Sequence, residues 1–264
     1  MKIYADPMDQ TLLCAGYDYL ADCPMRREVV QSRMEPGIRQ KKWWRYQHAY
    51  LGLEIHVAYI GPRAVGHIEF MPIEHAPRPI AGGHMAVITC LHVAPEYQGQ
   101  GIGEALLRAA ERAARVRFAG MAVIAQTGHA FLPVGFFFRM GYRMVDARGG
   151  LRLLHKPFEY AGVTPAFLPI RYRPRVGDGR IKVDLFHCPQ CARSGWAVDR
   201  IRRELRAAGR QVDIQVFNAS ERQQVEAWGL DLAAYVDGEP IAWLPPSPTA
   251  VLEAVKDRTN VIAA

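Results

Sequence analysis

The chain has 264 residues, of which 50% are hydrophobic and 22% are charged, and its formal net charge is +7. This balance is typical of a globular protein and excludes a mostly disordered chain. A single hydrophobic core seldom organises so many residues, so we predict two domains.

The sequence contains no apolar run long enough to span a bilayer, and its first ten residues, MKIYADPMDQ, lack the apolar stretch of a signal peptide. We therefore predict a cytoplasmic protein without membrane association. The five cysteines form no even framework, so structural disulfides are not expected. Two of them, Cys14 and Cys23, are most simply unspecialised thiols.

The excess of positive charge lies before residue 179. Together with the segment KKWWRYQ (Lys41–Gln47), it raises nucleic acid as a partner. No zinc-finger spacing or RNA-recognition signature accompanies this segment, so nucleic acid is not the partner that we predict. We expect instead an amphipathic helix that buries a tryptophan and leaves its basic side chains solvated.

Residues 1–160 are predicted to form an α/β domain with a mixed, mostly antiparallel sheet. Alternating apolar residues predict the strands, and apolar residues at helical spacing predict a helix after a glycine-rich loop. The predicted elements are strands at Leu53–Ile60, Val65–Met71, Met85–Val93, Met121–Ala125, Tyr142–Val145 and Leu151–Leu154 and helices at Glu104–Arg117 and Phe131–Met140.

Residues 161–178 are rich in proline and glycine without a helical period, which predicts a linker. Residues 179–264 are predicted to form the second domain. Its predicted order, β-α-β-α-β-β-α, is that of a thioredoxin-like α/β domain. The signals are strands at Arg180–Phe186, Gln211–Phe217 and Ala233–Asp237, a helix at Cys191–Ala208, a helix cap at Ser220, a hairpin turn at Asp237-Gly238 and a helix start at Ser247-Pro248.

The segment VAPEYQGQGIGEALL (Val93–Leu107) places a glycine-rich turn between a strand and a helix. Glycines allow close backbone approach, and the first turn of a helix offers unpaired N–H groups and a positive dipole end. A pyrophosphate is therefore the natural ligand of this loop. The loop is neither a Walker A motif, since no Gly-Lys-Ser/Thr follows, nor the dinucleotide fingerprint.

This loop, with the pattern Gln98-x-x-Gly101-x-Gly103 after Leu91-His92-Val93, resembles the GNAT family of N-acetyltransferases, and so does FFFRMGYRMV (Phe136–Val145). In that family the fourth strand of the sheet splays from the fifth, and acetyl-CoA lies in the gap. The resemblance implies that backbone groups at the end of the strand contact the pantetheine arm and that the loop cradles the pyrophosphate. Carried over by motif position, the cofactor-binding residues are Leu91, His92, Val93, Gln98, Gly99, Gln100, Gly101, Ile102 and Gly103.

A narrower resemblance covers nearly the whole chain. The sequence looks like the YoaP-type GNAT proteins, which carry an appended thioredoxin-like segment. The segments that carry this likeness are LLCAGYD (Leu12–Asp18), HIEFMPIEHAPRPI (His67–Ile80), ITCLHV (Ile88–Val93) and the C-terminal domain.

Acetyl transfer to an amine needs a group that accepts the amine's proton and a path for the CoA thiolate to leave. Glu69, within a predicted strand, and Glu74, just after it, are the candidates for the base. Many family members place a tyrosine acid four residues before the glycine of the Gly-aromatic motif, where this chain has Phe137. Tyr142 is expected in the core, so the thiolate would leave unassisted or take its proton from water.

Cys90 lies in a predicted strand, where a cysteine is usually a small buried hydrophobic residue. The alternative is a thiol near the thioester, acting as acceptor or redox-sensitive group. His84 and His92 share its strand parity, which leaves a metal triad conceivable, although we assign no metal site.

Cys188-Pro-Gln-Cys191 has the spacing and the strand-to-helix position of a thioredoxin-type dithiol, and a helix N-terminus would favour a thiolate on Cys188. Against a redox role, Leu230 occupies the position of the thioredoxin cis-proline, and His187 replaces the tryptophan before the first cysteine. A redox pair, a structural remnant and a soft-metal contact all remain open.

The sequence thus predicts an acetyl-CoA-dependent N-acetyltransferase that acts on a small-molecule or peptide amine, with a homodimer possible. The alternative is a thiol-responsive, redox-responsive or soft-metal-responsive CoA-binding protein without turnover. The amine acceptor is not encoded in any motif.

Overall fold

The structure, a computed structural model, describes residues 1–6, 31–127, 132–158, 163–207, 212–242 and 247–262. Cys14 and Cys23 lie outside the described residues. The chain divides into two compact units. The first consists of Met1–Ser32, Arg45–Ala76 and Ile80–Phe167, and the second of Arg33–Trp44, Pro77–Pro79 and Leu168–Ala264.

The first unit contains a seven-stranded sheet in the order β1-β2-β3-β5-β6-β8-β7. All neighbouring strands are antiparallel except β5 and β6, which confirms the predicted mixed, mostly antiparallel sheet. The elements up to the boundary between the units are β1 (Lys2–Asp6), α1 (Gln31–His48), β2 (Glu54–Ile60), β3 (Arg63–Pro72), β4 (Ile80–Ala81), β5 (Ala86–Val93), α2 (Ile102–Ala114), β6 (Gly120–Gln126), α3 (Val134–Arg139), β7 (Arg143–Arg148), β8 (Leu151–Pro157) and β9 (Ala166–Phe167).

Helix α2 covers one face of this sheet with the apolar face that its sequence period predicts. Leu106 and Ala110 are buried against Ile68 and Phe70 of strand β3 in the main core. This packing fixes the start of the helix, and with it the glycine loop, beside the end of β5.

Strands β5 and β6 pair over only part of their length. Their parallel pairing covers Ala86–Ile88 and Met121–Val123. Beyond these residues β5 continues to Val93 and remains paired with β3 on its other edge, where Gly66 lies opposite Val93. Among the described residues, the pairing of β5 with β6 thus ends at Ile88 and Val123, and the two strands separate beyond it.

The second unit contains a four-stranded sheet in the order β11-β10-β12-β13. Strand β10 is parallel to β11 and antiparallel to β12, and β12 and β13 form an antiparallel hairpin. The elements, in the predicted order, are β10 (Ile181–His187), α4 (Ala192–Ala207), β11 (Val212–Asn218), α5 (Arg222–Trp228), β12 (Ala233–Val236), β13 (Glu239–Ala242) and α6 (Pro248–Ile262).

Two local predictions in these helices are wrong. Helix α5 has Glu221 rather than Ser220 at its N-cap, without a side-chain cap, because the chain is still extended at Glu221. In α1, Trp44 is buried as expected and Trp43 is 62% exposed, but the predicted solvation of the basic residues fails at Lys41 and Arg45, which are both buried. The charge of Arg45 is tolerated there because a carboxylate pairs with it.

Part of the predicted linker is fixed to the second unit by polar contacts. The hydroxyl of Tyr172 donates to a carboxylate oxygen of the buried Asp184 at 2.7 Å, and the guanidinium of Arg175 binds Asp184 and Asp213. Burial and the Asp184 carboxylate raise the pKa of Tyr172 above its usual value, so the hydroxyl remains a donor. The segment therefore packs along β10 and β11.

Replacing Tyr172 with phenylalanine should lower the free energy of unfolding of the second unit by about 1.5 kcal/mol, because a hydrogen bond to a buried charged group is lost. All five tryptophans belong to this unit, so tryptophan fluorescence during urea unfolding reports on it. The control is Arg173→Ala at an exposed position of the same segment, for which we expect a change within about 0.5 kcal/mol. Equal effects of the two changes would contradict the role of Tyr172.

Candidate active site

The glycine loop has the backbone geometry of an anion site. Gly99 and Gly101 have φ values of 75° and 77°, in the left-handed region that favours glycine. Neither has an atom within 4 Å of the position that a Cβ would occupy, so space beside the loop is open. The amide of Ala105 makes the first helical hydrogen bond, to the Gly101 carbonyl at 3.0 Å. The N–H groups of Ile102–Glu104 come before that bond, so at the N-terminus of the helix they are available to a ligand.

One glutamine side chain holds this loop to the preceding strand, and a second holds it to the short turn between the strand and the loop. The amide of Gln98 donates to the carbonyl of Val93 at 2.9 Å, and the amide of Gln100 donates to the carbonyl of Glu96 at 3.3 Å. Most of the predicted cofactor residues are at least partly exposed, from the end of β5, Leu91–Val93, along the loop to Gly103. Ile102 is the exception, because its side chain is 2% exposed and packs in the main core.

Glu69 lies in a buried polar cluster on β3. It is 0% exposed, and its Oε1 contacts Arg45 Nη2 of helix α1. The same oxygen lies 3.1 Å from Nε2 of His67, which is 2% exposed. Cys90 lies directly opposite Glu69 on β5, and one polar atom of each of His67, Glu69 and Cys90 lies within 4.8 Å of the other two.

Two members of this cluster, His67 and Arg45, are not indicated by any motif in the sequence. His67 precedes Glu69 by two residues on the same strand, so the alternation of strand faces could have placed both on one face. Arg45 carries no such signal, because it lies on a separate helix whose packing against β3 is not local in sequence. His84 is exposed, and the group with Cys90 contains neither His84 nor His92, so the conceivable triad of those residues is not formed.

Glu74 has different surroundings. It is exposed after the end of β3, and its Oε1 accepts a hydrogen bond from the backbone N–H of His84 at 3.0 Å. Of the two carboxylates proposed as bases from the sequence, only Glu69 therefore lies beside Cys90.

The position at which the GNAT resemblance implies a tyrosine as proton donor is apolar here. Phe137 in α3 is fully buried, and its ring packs edge-on against Tyr142 at a centroid distance of 5.4 Å. Tyr142 is buried as expected, and burial with the nearby Glu111 carboxylate raises its pKa well above the usual value. Phe137 has no proton to give, and the hydroxyl of Tyr142 is enclosed in the core.

The dithiol of the second unit follows strand β10. The amide of Cys191 donates to the Cys188 carbonyl at 3.0 Å, and the hydroxyl of Ser194 donates to the same carbonyl at 2.7 Å. Cys188 is fully buried and Cys191 is partly exposed. Burial raises the pKa of the Cys188 thiol to about 12, against the opposing effect of Arg78. This direction is opposite to the thiolate expected on Cys188 from its position before a helix, and its main cause is desolvation by burial.

A buried ion pair lies near this dithiol, within the second unit. Arg78 Nη1 lies 2.8 Å from Oδ2 of Asp231, and Arg78 Nη2 donates to Oε1 of Gln190 at 2.7 Å. Burial raises the pKa of Asp231, and the Arg78 guanidinium opposes that rise. The arrangement places a cation beside the thiols, which the sequence did not indicate.

Comparison with known proteins gives a family match over slightly less than half of the chain. Residues 17–142 match the Acetyltransferase (GNAT) family. This match confirms the predicted GNAT acetyltransferase domain and its enzyme class, an acyl-CoA N-acyltransferase. No curated protein matches the sequence with significance.

Several solved structures resemble part of the chain. The PaiA N-acetyltransferase of Thermoplasma acidophilum, solved with coenzyme A, is 20% identical, with a TM-score of 0.40 over 60% of this chain and 100% of its own. A GNAT family acetyltransferase of Brucella melitensis, solved with acetyl-CoA, is 15% identical, with a TM-score of 0.41 over 63% and 96%. A ribosomal-protein-alanine N-acetyltransferase of Brucella melitensis is 19% identical, with a TM-score of 0.42 over 60% and 100%. Sequence identities and TM-scores this low assign neither a ligand nor an amine acceptor to this chain.

Within the part of the chain that the structure describes, every helix is too short or too polar to cross a membrane.

Proposed function

We propose that the first unit is an acetyl-CoA-dependent N-acetyltransferase that transfers the acetyl group to an amine. The observation that carries this proposal is the separation of β5 from β6 beside the open glycine loop. A strand edge without a partner offers hydrogen-bonding groups to an extended ligand, and the loop that follows it offers N–H groups to an anion. The family match adds the reaction class.

In this proposal acetyl-CoA lies along the free edge of β5. Backbone groups of Leu91, His92 and Val93 bind the pantetheine arm. The residues from Gln98 to Gly103 cradle the pyrophosphate, whose negative charge is stabilised by the N–H groups at the start of α2. The carbonyl of Val93 already accepts a hydrogen bond from the Gln98 side-chain amide, so only its second lone pair is available to the cofactor.

The transfer requires an acceptor for the proton of the amine. Glu69 is 0% exposed and its Oε1 already contacts Arg45, so direct contact with an amine from solvent is disfavoured. Glu74 is exposed and remains the carboxylate that an acceptor can reach from solvent. Cys90, opposite Glu69 on β5, is the third catalytic candidate.

For the second unit we propose a thioredoxin-like dithiol domain of the YoaP type. Its support is the order of helices and strands and the position of Cys188 and Cys191 between β10 and α4. The buried, neutral Cys188 favours a packing or recognition role over rapid disulfide exchange. The alternative for the whole chain, a thiol-responsive CoA-binding protein without turnover, predicts acetyl-CoA binding with no transfer to any member of a broad amine panel.

The direct test is calorimetric titration of the reduced protein with acetyl-CoA. We expect one site of micromolar affinity in the wild type and an affinity lower by about 10- to 100-fold in Gly101→Val. The reason is that a β-branched residue at positive φ distorts the loop, and each lost hydrogen bond to a charged group is worth about 1.5–3 kcal/mol.

Gly61→Val is the matched control for that variant. Gly61 also has positive φ, at 57°, and has open space at its Cβ position, but it lies in the turn between β2 and β3. Its substitution should cost similar backbone strain without changing affinity. Wild-type affinity in Gly101→Val, or equal losses in both variants, would refute the assignment of the loop.

A further inference from the structure

We propose that Cys90 is the nucleophile of the transfer, so that the acetyl group passes through a thioester on Cys90 while His67, positioned by Glu69, carries the proton. This inference rests on the proposed function and deepens it, since it names the group that first receives the acetyl moiety and the group that moves the proton.

The geometry is that of a nucleophile, a base and a residue that orients the base. Glu69 and Cys90 are cross-strand neighbours, which brings their Cβ atoms to about 5 Å. Polar atoms of His67, Glu69 and Cys90 lie within 4.8 Å of one another. Nε2 of His67 lies 3.1 Å from Oε1 of Glu69, which places the carboxylate where it can orient the imidazole.

The contact with Arg45 is the reason why Glu69 orients His67 rather than taking part in the reaction itself. Its guanidinium binds the same carboxylate oxygen that lies beside His67, so this oxygen is already engaged and Glu69 acts by orienting the imidazole. The same contact argues against a cation in this cluster, because the carboxylate charge is already neutralised. We therefore do not assign a metal site here.

Cys90 also lies where the thioester is expected. It stands two residues beyond Ile88, the last residue of β5 that pairs with β6, and directly precedes Leu91 on the free edge of the strand. It is 7% exposed, more than either Glu69 or His67. The thiol is thus the member of the cluster that is most accessible to acetyl-CoA.

In this mechanism His67 protonates the CoA thiolate, which Phe137 cannot do. In the first step the thiol proton passes to His67, the Cys90 sulfur bonds to the acetyl carbon, and the bond from that carbon to the CoA sulfur breaks. The imidazolium then protonates the CoA thiolate. In the second step the amine bonds to the acetyl carbon, its proton passes to His67, and the departing Cys90 thiolate takes that proton back.

The test is incubation of the full chain with acetyl-CoA and no amine, followed by intact mass measurement and peptide mapping. We expect one added acetyl group, on Cys90, labile to neutral hydroxylamine as a thioester should be. Cys90→Ala should bind acetyl-CoA normally by calorimetry and form no adduct. The matched control is Cys191→Ala, which removes a partly exposed thiol of the second unit and should leave the adduct on Cys90 unchanged.

The roles of the two other residues have their own readouts. His67→Gln should slow adduct formation by about 100-fold or more, as expected for loss of a general base. Glu69→Gln should slow it at unchanged acetyl-CoA affinity, and Glu69→Asp should restore part of the rate. With an amine present, initial rates should follow a ping-pong pattern.

Several outcomes would overturn the inference. Amine acetylation at the wild-type rate in Cys90→Ala would show direct transfer. An adduct of equal yield on Cys191, or one that also forms when urea-unfolded protein is incubated with acetyl-CoA, would show chemical acylation. Failure of the proposed function is distinguishable, because the wild-type protein would then not bind acetyl-CoA at all.

Discussion

Between about pH 9 and pH 12, the free energy of unfolding of the second unit is expected to fall by about 1.4 kcal/mol per pH unit because of Cys188. Below pH 9 the thiol is protonated in both states, so its contribution does not change. Above pH 9 the unfolded chain releases the proton, whereas the buried thiol keeps it until the pH approaches its folded pKa of about 12. The unfolded state therefore gains stability as pH rises, and the total loss is about 4 kcal/mol.

Urea unfolding followed by tryptophan fluorescence at a series of alkaline pH values measures this loss. Other groups also titrate in this range, so the decisive quantity is the difference between the wild type and Cys188→Ala. The variant lacks the thiol, and its cavity cost does not depend on pH. Cys191→Ala is the control and should keep the steep fall. Parallel pH profiles for the wild type and Cys188→Ala would contradict burial as the cause.

Thiol labelling gives an independent measurement of the same property. At neutral pH, iodoacetamide should modify Cys191 well before Cys188, because the thiolate is the reactive form and burial suppresses it at Cys188. Preferential labelling of Cys188 would restore the thioredoxin-type nucleophile that the sequence suggested.

Replacing Arg45 with methionine should lower the free energy of unfolding of the first unit by about 3–5 kcal/mol, because it leaves the carboxylate of Glu69 buried without its cation. The double substitution of Arg45 and Glu69 by methionine should recover most of this loss, since neither buried charge remains. Hydrogen exchange at the amides of β3 and β5 measures the effect in the unit where it arises.

The pair of Arg108 and Glu104 on helix α2 is the matched control. Their nitrogen and oxygen approach to 2.6 Å, but the side chains are 62% and 48% exposed. Arg108→Met should therefore cost less than about 1 kcal/mol. A similar cost for Arg45→Met, or a double variant that is no more stable than the single one, would show that the buried pair does not govern the stability of this region.

The local predictions that are confirmed depend on neighbouring residues alone. Asp237-Gly238 predicts a hairpin turn, and both residues have positive φ between β12 and β13, as a type I′ turn requires. The apolar period after Gly103 predicts helix α2 and the face that it buries. In each case the sterics of the turn or the helical period acts over a few residues, so the signal is present in a short window.

The sequence predicted the loop of the candidate site and indicated Glu69 and Cys90 separately, but it did not predict that these two residues lie in one cluster. The residues from Gln98 to Gly103 form a loop because their glycines and the following helix are contiguous. The cluster of Arg45, Glu69 and Cys90 joins a helix and two strands, and it depends on the packing of α1 and on the register that sets Glu69 opposite Cys90. No short window contains that register.

By itself the sequence determined most of the helices and strands, the mostly antiparallel sheet, the glycine-rich loop and the resemblance to an acetyltransferase. Turn chemistry, hydrophobic period and motif spacing are local properties, whereas strands β1, β4 and β9 were not predicted. The tertiary structure decided which ionisable groups are buried and with what partners. It enclosed Cys188, which reversed the expected thiolate, and it paired Glu69 with Arg45 and His67. The physical reason is that desolvation and charge pairing depend on surroundings assembled from distant parts of the chain.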